Sequence, residues 1–286
     1  MSAKKNVDGE WTTVIKPKAN LLNFNIAEVW RYRYLIQLFV RRDFVAVYKQ
    51  TILGPAWFLI QPIMYTVVYT MVFGNLANLS SDGLPRILFY YSGIMLWQYF
   101  AQCLTKTSDT FVANASIFGK VYFPRLTVPI SVVITSLITF AIQFALFAGF
   151  LIYFMVRGFS VNPNLWILSL PLLLIAMAAL GLGSGIIISS VTTKYQDLRH
   201  LLSFGVNLWM YATPVVYPLS QVPTQWRWVF VLNPMSAIIE SFRYAFTGVG
   251  TVSTHHLAAT AGMIVVVLLL GVVLFNRVER TFMDVV

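Results

Sequence analysis

Charge is what this chain has least of. Only 10% of its 286 residues are Asp, Glu, Lys or Arg, while 58% are hydrophobic. A soluble domain carries about 25% charged residues. A chain so poor in charge cannot cover a globular surface in water, and the bilayer is the solvent that fits. Cysteine is nearly missing too. Cys103 stands alone, so no internal disulfide can form, and its apolar setting reads as a small buried side chain. There are three histidines, His200, His255 and His256, with no Cys, Asp or Glu at metal-ligand spacing from the last two. These two are expected to be solvated at an interface. No GxxxxGK[ST] loop is present, which excludes a recognisable ATP site, and no GxSxG elbow marks a nucleophilic serine. A membrane-embedded glycosyl- or acyltransferase would need an acid, base or metal constellation, and none can be picked out. Residues 1–20 are polar and lack the apolar core of a signal peptide, so the first span is expected to act as a retained anchor.

What the chain does have is long apolar stretches. A spanning helix needs about 20 such residues. Six charge-free runs qualify or come close: 51–79, 87–104, 128–156, 165–193, 201–225 and 257–275. Punctuation trims them. Gly54-Pro55 sets the first span near 56–74, Pro129 starts the third, Asn162-Pro163 precedes the fourth, and Pro214 and Pro218 stop the fifth. The expected fold is an all-α membrane protein with six transmembrane helices. Gly181 and Gly185 inside the fourth run form a small-xxx-small pair, read as close helix packing rather than as a nucleotide loop.

The basic residues orient the spans. Of 20 Lys and Arg, nine precede Thr51: Lys4, Lys5, Lys16, Lys18, Arg31, Arg33, Arg41, Arg42 and Lys49. With the N-terminus inside, Lys120, Arg125, Lys194, Arg199, Arg277 and Arg280 join them. Only Arg86, Arg157, Arg227 and Arg243 fall outside. Cytoplasmic segments are the Lys/Arg-rich ones, so both ends are expected in the cytoplasm. A net charge of +10 does not point to nucleic acid in so apolar a chain.

Two segments are apolar without crossing. Residues 26–50 follow a polar tail, 1–25, and mix Trp30, Tyr32, Tyr34 and Phe39 with basic groups. Val40, Phe44, Val47 and Tyr48 share one helical face, while Arg42 and Lys49 point elsewhere. This segment is expected to be an amphipathic helix in the cytoplasmic interface, its basic groups toward anionic lipid. A cytosolic helix packed on a soluble partner is the alternative. The outer loop, 218–255, holds Ile238, Ile239, Phe242 and Phe246 at helical spacing. It is expected to form short re-entrant helices between spans five and six, because Pro223 and Asn233-Pro234 interrupt any further span. The six-span unit covers 51–277, and 278–286 form a C-terminal tail.

Carboxylates in or near spans are few. Asp109 follows Lys106 by three residues and Glu240 precedes Arg243 by three, so each is expected to pair locally. Aromatics make up 15% of the chain. Tyr65, Tyr69 and Phe73 fall one turn apart on the first span. Tyr90, Tyr91, Trp97, Tyr99 and Phe100 crowd the second. Trp209 and Tyr211 lie in the fifth. Aromatic faces with hydroxyls suit sugars, whose C–H faces are apolar and whose hydroxyls need partners. Core packing is the competing reading.

Arg42-Asp43, Tyr48, Thr51, Leu53-Gly54, Trp57 and Pro62 resemble the opening motif of type-2 ABC transporter permeases that export polysaccharides. Phe123-Pro124 with Pro129, then Tyr195-Asp197-Arg199, are similar to that family's cytoplasmic connections. Pro214, Pro218, Asn233-Pro234, Arg243 and Gly248 are similar to its outer re-entrant region. The resemblance runs from about Ile26 onward. It implies a permease subunit without an ATP site of its own, working as a homodimer with two copies of a separate ATPase that binds ATP and Mg. It also implies a cargo of polysaccharide linked to undecaprenyl diphosphate, most often O-antigen, crossing the bacterial inner membrane. Capsule, teichoic acid, drugs and small lipids are the alternatives within the fold, and a passive channel is the rival outside it. From the aromatic pattern of the spans, the substrate pathway is expected at Tyr65, Tyr69, Phe73, Trp97, Tyr99, Trp209 and Tyr211. ATPase coupling is expected at Phe118, Lys120, Tyr122, Arg125, Tyr195, Asp197 and Arg199. The interface helix is expected to act through Arg41, Arg42, Asp43 and Tyr48.

Overall fold

A computed structural model describes residues 26–49, 51–118, 120–121, 123–192 and 197–285. Among them there is helix and no strand. The helices are α1 (Ile26–Arg31), α2 (Arg33–Tyr48), α3 (Trp57–Tyr69), α4 (Arg86–Ser108), α5 (Thr110–Ala113), α6 (Ala115–Phe118), α7 (Thr127–Val156), α8 (Leu170–Thr192), α9 (Leu198–Tyr211), α10 (Arg227–Val231), α11 (Pro234–Thr247) and α12 (Thr254–Val285). Among the described residues four segments are long and apolar enough to cross a membrane: Gly54–Leu76, Thr127–Val156, Leu165–Thr192 and Thr254–Phe275.

The other two expected spans are helices of a different kind. α4 has 23 residues, enough to cross, yet it is the central helix of the fold. It packs against α3, α7, α8, α9 and α11, and most of its side chains are buried in protein. Its aromatics and polar groups are therefore stabilised by packing rather than by lipid. α9 has 14 residues, where a 25-residue run suggested a full span. At 1.5 Å per residue it reaches about 21 Å, short of a hydrocarbon core of about 30 Å. Its chain turns off after Tyr211, before Pro214, since proline disfavours helix at the preceding residue.

Small residues let the helices close on α4. A Cβ on Gly181 would stand 2.7 Å from the Cys103 Cβ, and one on Gly185 2.7 Å from the Leu104 carbonyl. The small-xxx-small pair thus seats α8 on α4, as its spacing suggested, and Cys103 is buried there. On the opposite side Gly183 meets Gly271 of α12, so α8 is clamped between two helices. α7 turns a buried polar stripe inward, Thr127, Ser131, Thr135 and Thr139, each hydroxyl bonded to a carbonyl three or four residues back.

The N-terminal helix breaks at Tyr32, and α2 packs on α7. Its buried face differs from the expected one. Val29, Ile36 and Phe39 are buried, Val40 and Phe44 half-buried, and Val47 exposed. The side chain of Tyr48 lies outside the described residues. Phe44 stacks on Phe58 with ring centroids 5.3 Å apart, which joins α2 to α3.

Candidate transport pathway and coupling surface

The expected aromatic ladder sits where α3 meets α9. α3 continues as a π-helix, Thr70–Leu76, whose wider turn carries Phe73. Such wider turns are frequent at functional sites. Tyr69 is buried, and its hydroxyl lies 3.5 Å from that of Tyr211 and 3.8 Å from the Met210 sulfur. Tyr65 stands 6.3 Å from Tyr69 between ring centroids, and Phe73 stands 5.4 Å from it. Tyr65 and Tyr211 are exposed, at 45% and 47%. Beside them, Met64, Val68 and Met71 on α3 and Leu201, Phe204 and Leu208 on α9 are also exposed. Trp97 and Trp209 meet edge to face at 5.9 Å, and Phe100 touches both. Trp97 and Tyr99 are buried in the main core, and Trp209 is half-buried against it. The seven residues expected on the pathway therefore split. Tyr65, Tyr69, Phe73 and Tyr211 adjoin one another along a partly open seam, while Trp97, Tyr99 and Trp209 pack in or against the main core.

The end of the molecule beyond Tyr211 is organised by α11. Asn233 caps its start, accepting from the Met235 N–H at 3.1 Å. The same side chain donates to the Thr213 hydroxyl at 2.8 Å, so the start of α11 is tied to the end of α9. At the other end Gly248 adopts φ +76° beside the Asn162 carbonyl. The backbone of Asn162 bonds to Thr247, and Asn164 bonds to Ala245 and Tyr244. Between the two ends lies the pair foreseen from spacing. Arg243 Nη1 is 3.5 Å from Glu240 Oε1, both side chains almost wholly buried. Arg243 also donates to the carbonyls of Pro214 at 2.6 Å, Val215 at 3.0 Å and Phe89 at 3.3 Å, and its guanidinium lies 3.7 Å from the Phe89 ring centroid. Glu240 accepts from the Thr251 N–H and hydroxyl. A buried charge is tolerated only when paired and hydrogen-bonded, and here that need ties α4, the segment after α9 and the loop before α12 to one helix. His256 is buried rather than solvated, its Nε2 3.1 Å from the Phe230 carbonyl. His255 is exposed.

The opposite end carries a second, smaller core. Phe39, Phe111, Phe118, Phe123, Val128, Ile186 and Phe275 pack together there. Phe118 is thus an internal anchor of its loop, with the Arg125 guanidinium 5.7 Å from its ring centroid. Lys120 and Asp197 are exposed. Tyr122 and Tyr195 lie outside the described residues. Asp109 does not take Lys106 as its partner. It pairs with Arg199 at 3.3 Å, across the ends of α4 and α9. The local spacing was right for a pair, but Arg199 arrives from the far side of the sequence. On α2, Arg42 bonds Asp43 at 2.8 Å and lies over Phe39, whereas Arg41 is exposed. Among the described residues no three His, Cys, Asp or Glu side chains gather as a metal site.

A family model for the ABC-2 type transporter matches residues 34–247, about three quarters of the chain. This chain belongs to the ABC-2 type transporter family. Among its relatives, an O-antigen export system permease protein RfbA from Klebsiella pneumoniae is 27% identical over 256 residues, covering 88% of this chain and 96% of that protein. The protein of the same name from Myxococcus xanthus is 26% identical over 263 residues, covering 91% and 98%. The inner membrane transport permease YadH of Escherichia coli (strain K12) is 23% identical over 218 residues, covering 73% and 81%. The family match ends at Thr247, so it takes in the aromatic seam, the Asp109–Arg199 contact and the Arg243 pair of this ABC-2 permease.

Proposed function

We propose that this chain is the permease subunit of an ATP-driven exporter that carries undecaprenyl-diphosphate-linked polysaccharide, of the O-antigen class, across the bacterial inner membrane. Two copies pair and bind two copies of a separate ATPase. α4, and α9 together with the non-helical chain that follows it, complete six crossings with the four apolar spans, α10 and α11 dip into the outer leaflet, and both termini face the cytoplasm. The observation that carries the reading is the open seam of Tyr65, Tyr69, Phe73 and Tyr211, flanked by uncovered apolar faces on α3 and α9. Two such seams facing each other would make a wall of rings and hydroxyls, with Trp97, Tyr99 and Trp209 as backing. A glycan can bind such a wall weakly at many points, which lets it enter and still leave. ATP hydrolysed in the partner supplies the energy. Lys120, Arg125, Asp197 and Arg199 meet that partner, with Phe118 holding their loop from inside and Tyr122 and Tyr195 as further contacts. On α2, Arg41, Arg42, Asp43 and Tyr48 set the helix at the cytoplasmic interface.

The test is reconstitution. The pure chain alone should hydrolyse no ATP, while chain plus ATPase in proteoliposomes should hydrolyse it and translocate the lipid-linked glycan. Hydrolysis by the chain alone would falsify the assignment of roles. The likeness to YadH favours a second reading, a permease for another cargo. It would be supported if the complex were active but ignored the glycan.

A further inference from the structure

Between α2 and α7 lies a groove of about 270 Å³. Ile36, Val40 and Phe44 of α2 face Ile134 and Ile138 of α7, and Gln37 and Arg41 complete the lining with their carbon stems, so that no polar atom faces the void. A sugar placed there would leave every hydroxyl without a partner, which excludes the glycan. Hydrocarbon is the ligand such a wall accepts.

The charge beside the groove selects the headgroup. Arg42 is occupied by Asp43 and by the Phe39 ring. Arg41 is exposed and has no carboxylate or carbonyl partner among the described residues. Along the same helices Trp30, Tyr34 and Leu38 are exposed at i, i+4, i+8, an apolar stripe suited to the headgroup boundary. We infer that the α2–α7 groove is a binding site for one acyl chain of an anionic phospholipid, whose phosphate is held by Arg41. The site belongs to the chain's seat in the membrane and stands whatever the cargo is.

Native mass spectrometry of the full chain, released from nanodiscs of equal phosphatidylglycerol and phosphatidylethanolamine, tests it. The wild type should retain one phosphatidylglycerol per chain. Ile134→Trp, at a half-exposed position, fills the groove and should reduce that retention about tenfold. Arg41→Gln, which removes the charge and keeps most of the carbon stem that lines the groove, should keep a lipid but lose about fivefold of its preference for phosphatidylglycerol. Leu172→Trp, on an exposed face of α8, should change neither. Retention unaffected by both groove variants overturns the inference, as does equal loss in Leu172→Trp. Displacement of phosphatidylglycerol by an equimolar polyprenyl phosphate would also overturn it, by assigning the groove to the cargo's carrier.

Discussion

Gln143 supplies the hydrogen bond that Pro62 withholds. Proline has no N–H, so Pro62 inside α3 leaves the Phe58 carbonyl, four residues back, without its helical donor. Gln143 Nε2, from the middle of α7, lies 3.1 Å from that carbonyl and 3.0 Å from Gln98 Oε1. The backbone carbonyl of Gln143 accepts from the Tyr91 hydroxyl at 3.1 Å. One buried glutamine thereby joins α3, α4 and α7. Gln143→Leu should lower stability by about 1–3 kcal/mol, the cost of orphaning buried polar groups. A thermal melt in detergent reads it. The cost should shrink when Pro62→Ala restores the missing donor, and a double-mutant cycle showing strict additivity would dismiss the relationship.

Arg243 should be the least replaceable residue around α11. Arg243→Met leaves Glu240 buried without its cation and three carbonyls without a donor. A loss of roughly 3–5 kcal/mol is expected. Glu240→Gln keeps an acceptor for Thr251 and should cost less. Melting curves of the two variants, ranked the other way, would argue against this arrangement.

Asp109 and Arg199 form a contact with a different role. Their side chains are partly exposed, at 46% and 32%, so the pair contributes well under about 1 kcal/mol to stability. Each reversal alone, Asp109→Arg or Arg199→Asp, should leave the melting temperature nearly unchanged while uncoupling ATPase turnover from transport. Combining the two reversals should restore coupling. If the double variant were as impaired as the singles, the contact between the ends of α4 and α9 would not be what transmits the motion.

The seam separates packing from pathway. Tyr65 is exposed and Tyr69 buried. Tyr65→Leu should slow export with little change in stability, because it removes a ring face and hydroxyl from the open side. Tyr69→Leu should lower both, since it also breaks the contacts to Tyr211 and Met210. Export rate is measured beside thermal stability. Equal loss of both in Tyr65→Leu would return the seam to the core.

Glycine positions give a control within one chain. Gly185→Val would drive a Cβ to 2.6 Å from the Thr107 Cβ and 2.7 Å from the Leu104 carbonyl, so α8 must leave α4. Overpacking of this kind costs roughly 1–3 kcal/mol. A Cβ added to Gly149 in α7 would meet nothing within 4 Å, and Gly149→Ala should be neutral or stabilising by up to about 1 kcal/mol. The comparison is again a thermal melt.

Local composition and spacing were enough for whatever is set along one helix. The apolar runs marked the four long spans, Gly181 and Gly185 the α8–α4 contact, and the three-residue step from Glu240 to Arg243 their pairing. Ile238, Ile239, Phe242 and Phe246 marked α11 as a helix, since periodicity belongs to a single helix, but the fold buries it nearly all round rather than on that face alone. Which helix owns the centre is a matter of how the helices close. α4 reads as a modest span, because its Tyr, Trp and Gln side chains lower its hydropathy, and only contact with five other helices shows that they are inside protein. Closure also chose partners far apart in the chain. Asp109 turns to Arg199, His256 to Phe230 and Gln143 to Phe58, at separations of 90, 26 and 85 residues. A lone polar residue in an apolar run signals that a partner exists. Which partner it finds depends on the arrangement of whole helices, and no local pattern encodes that.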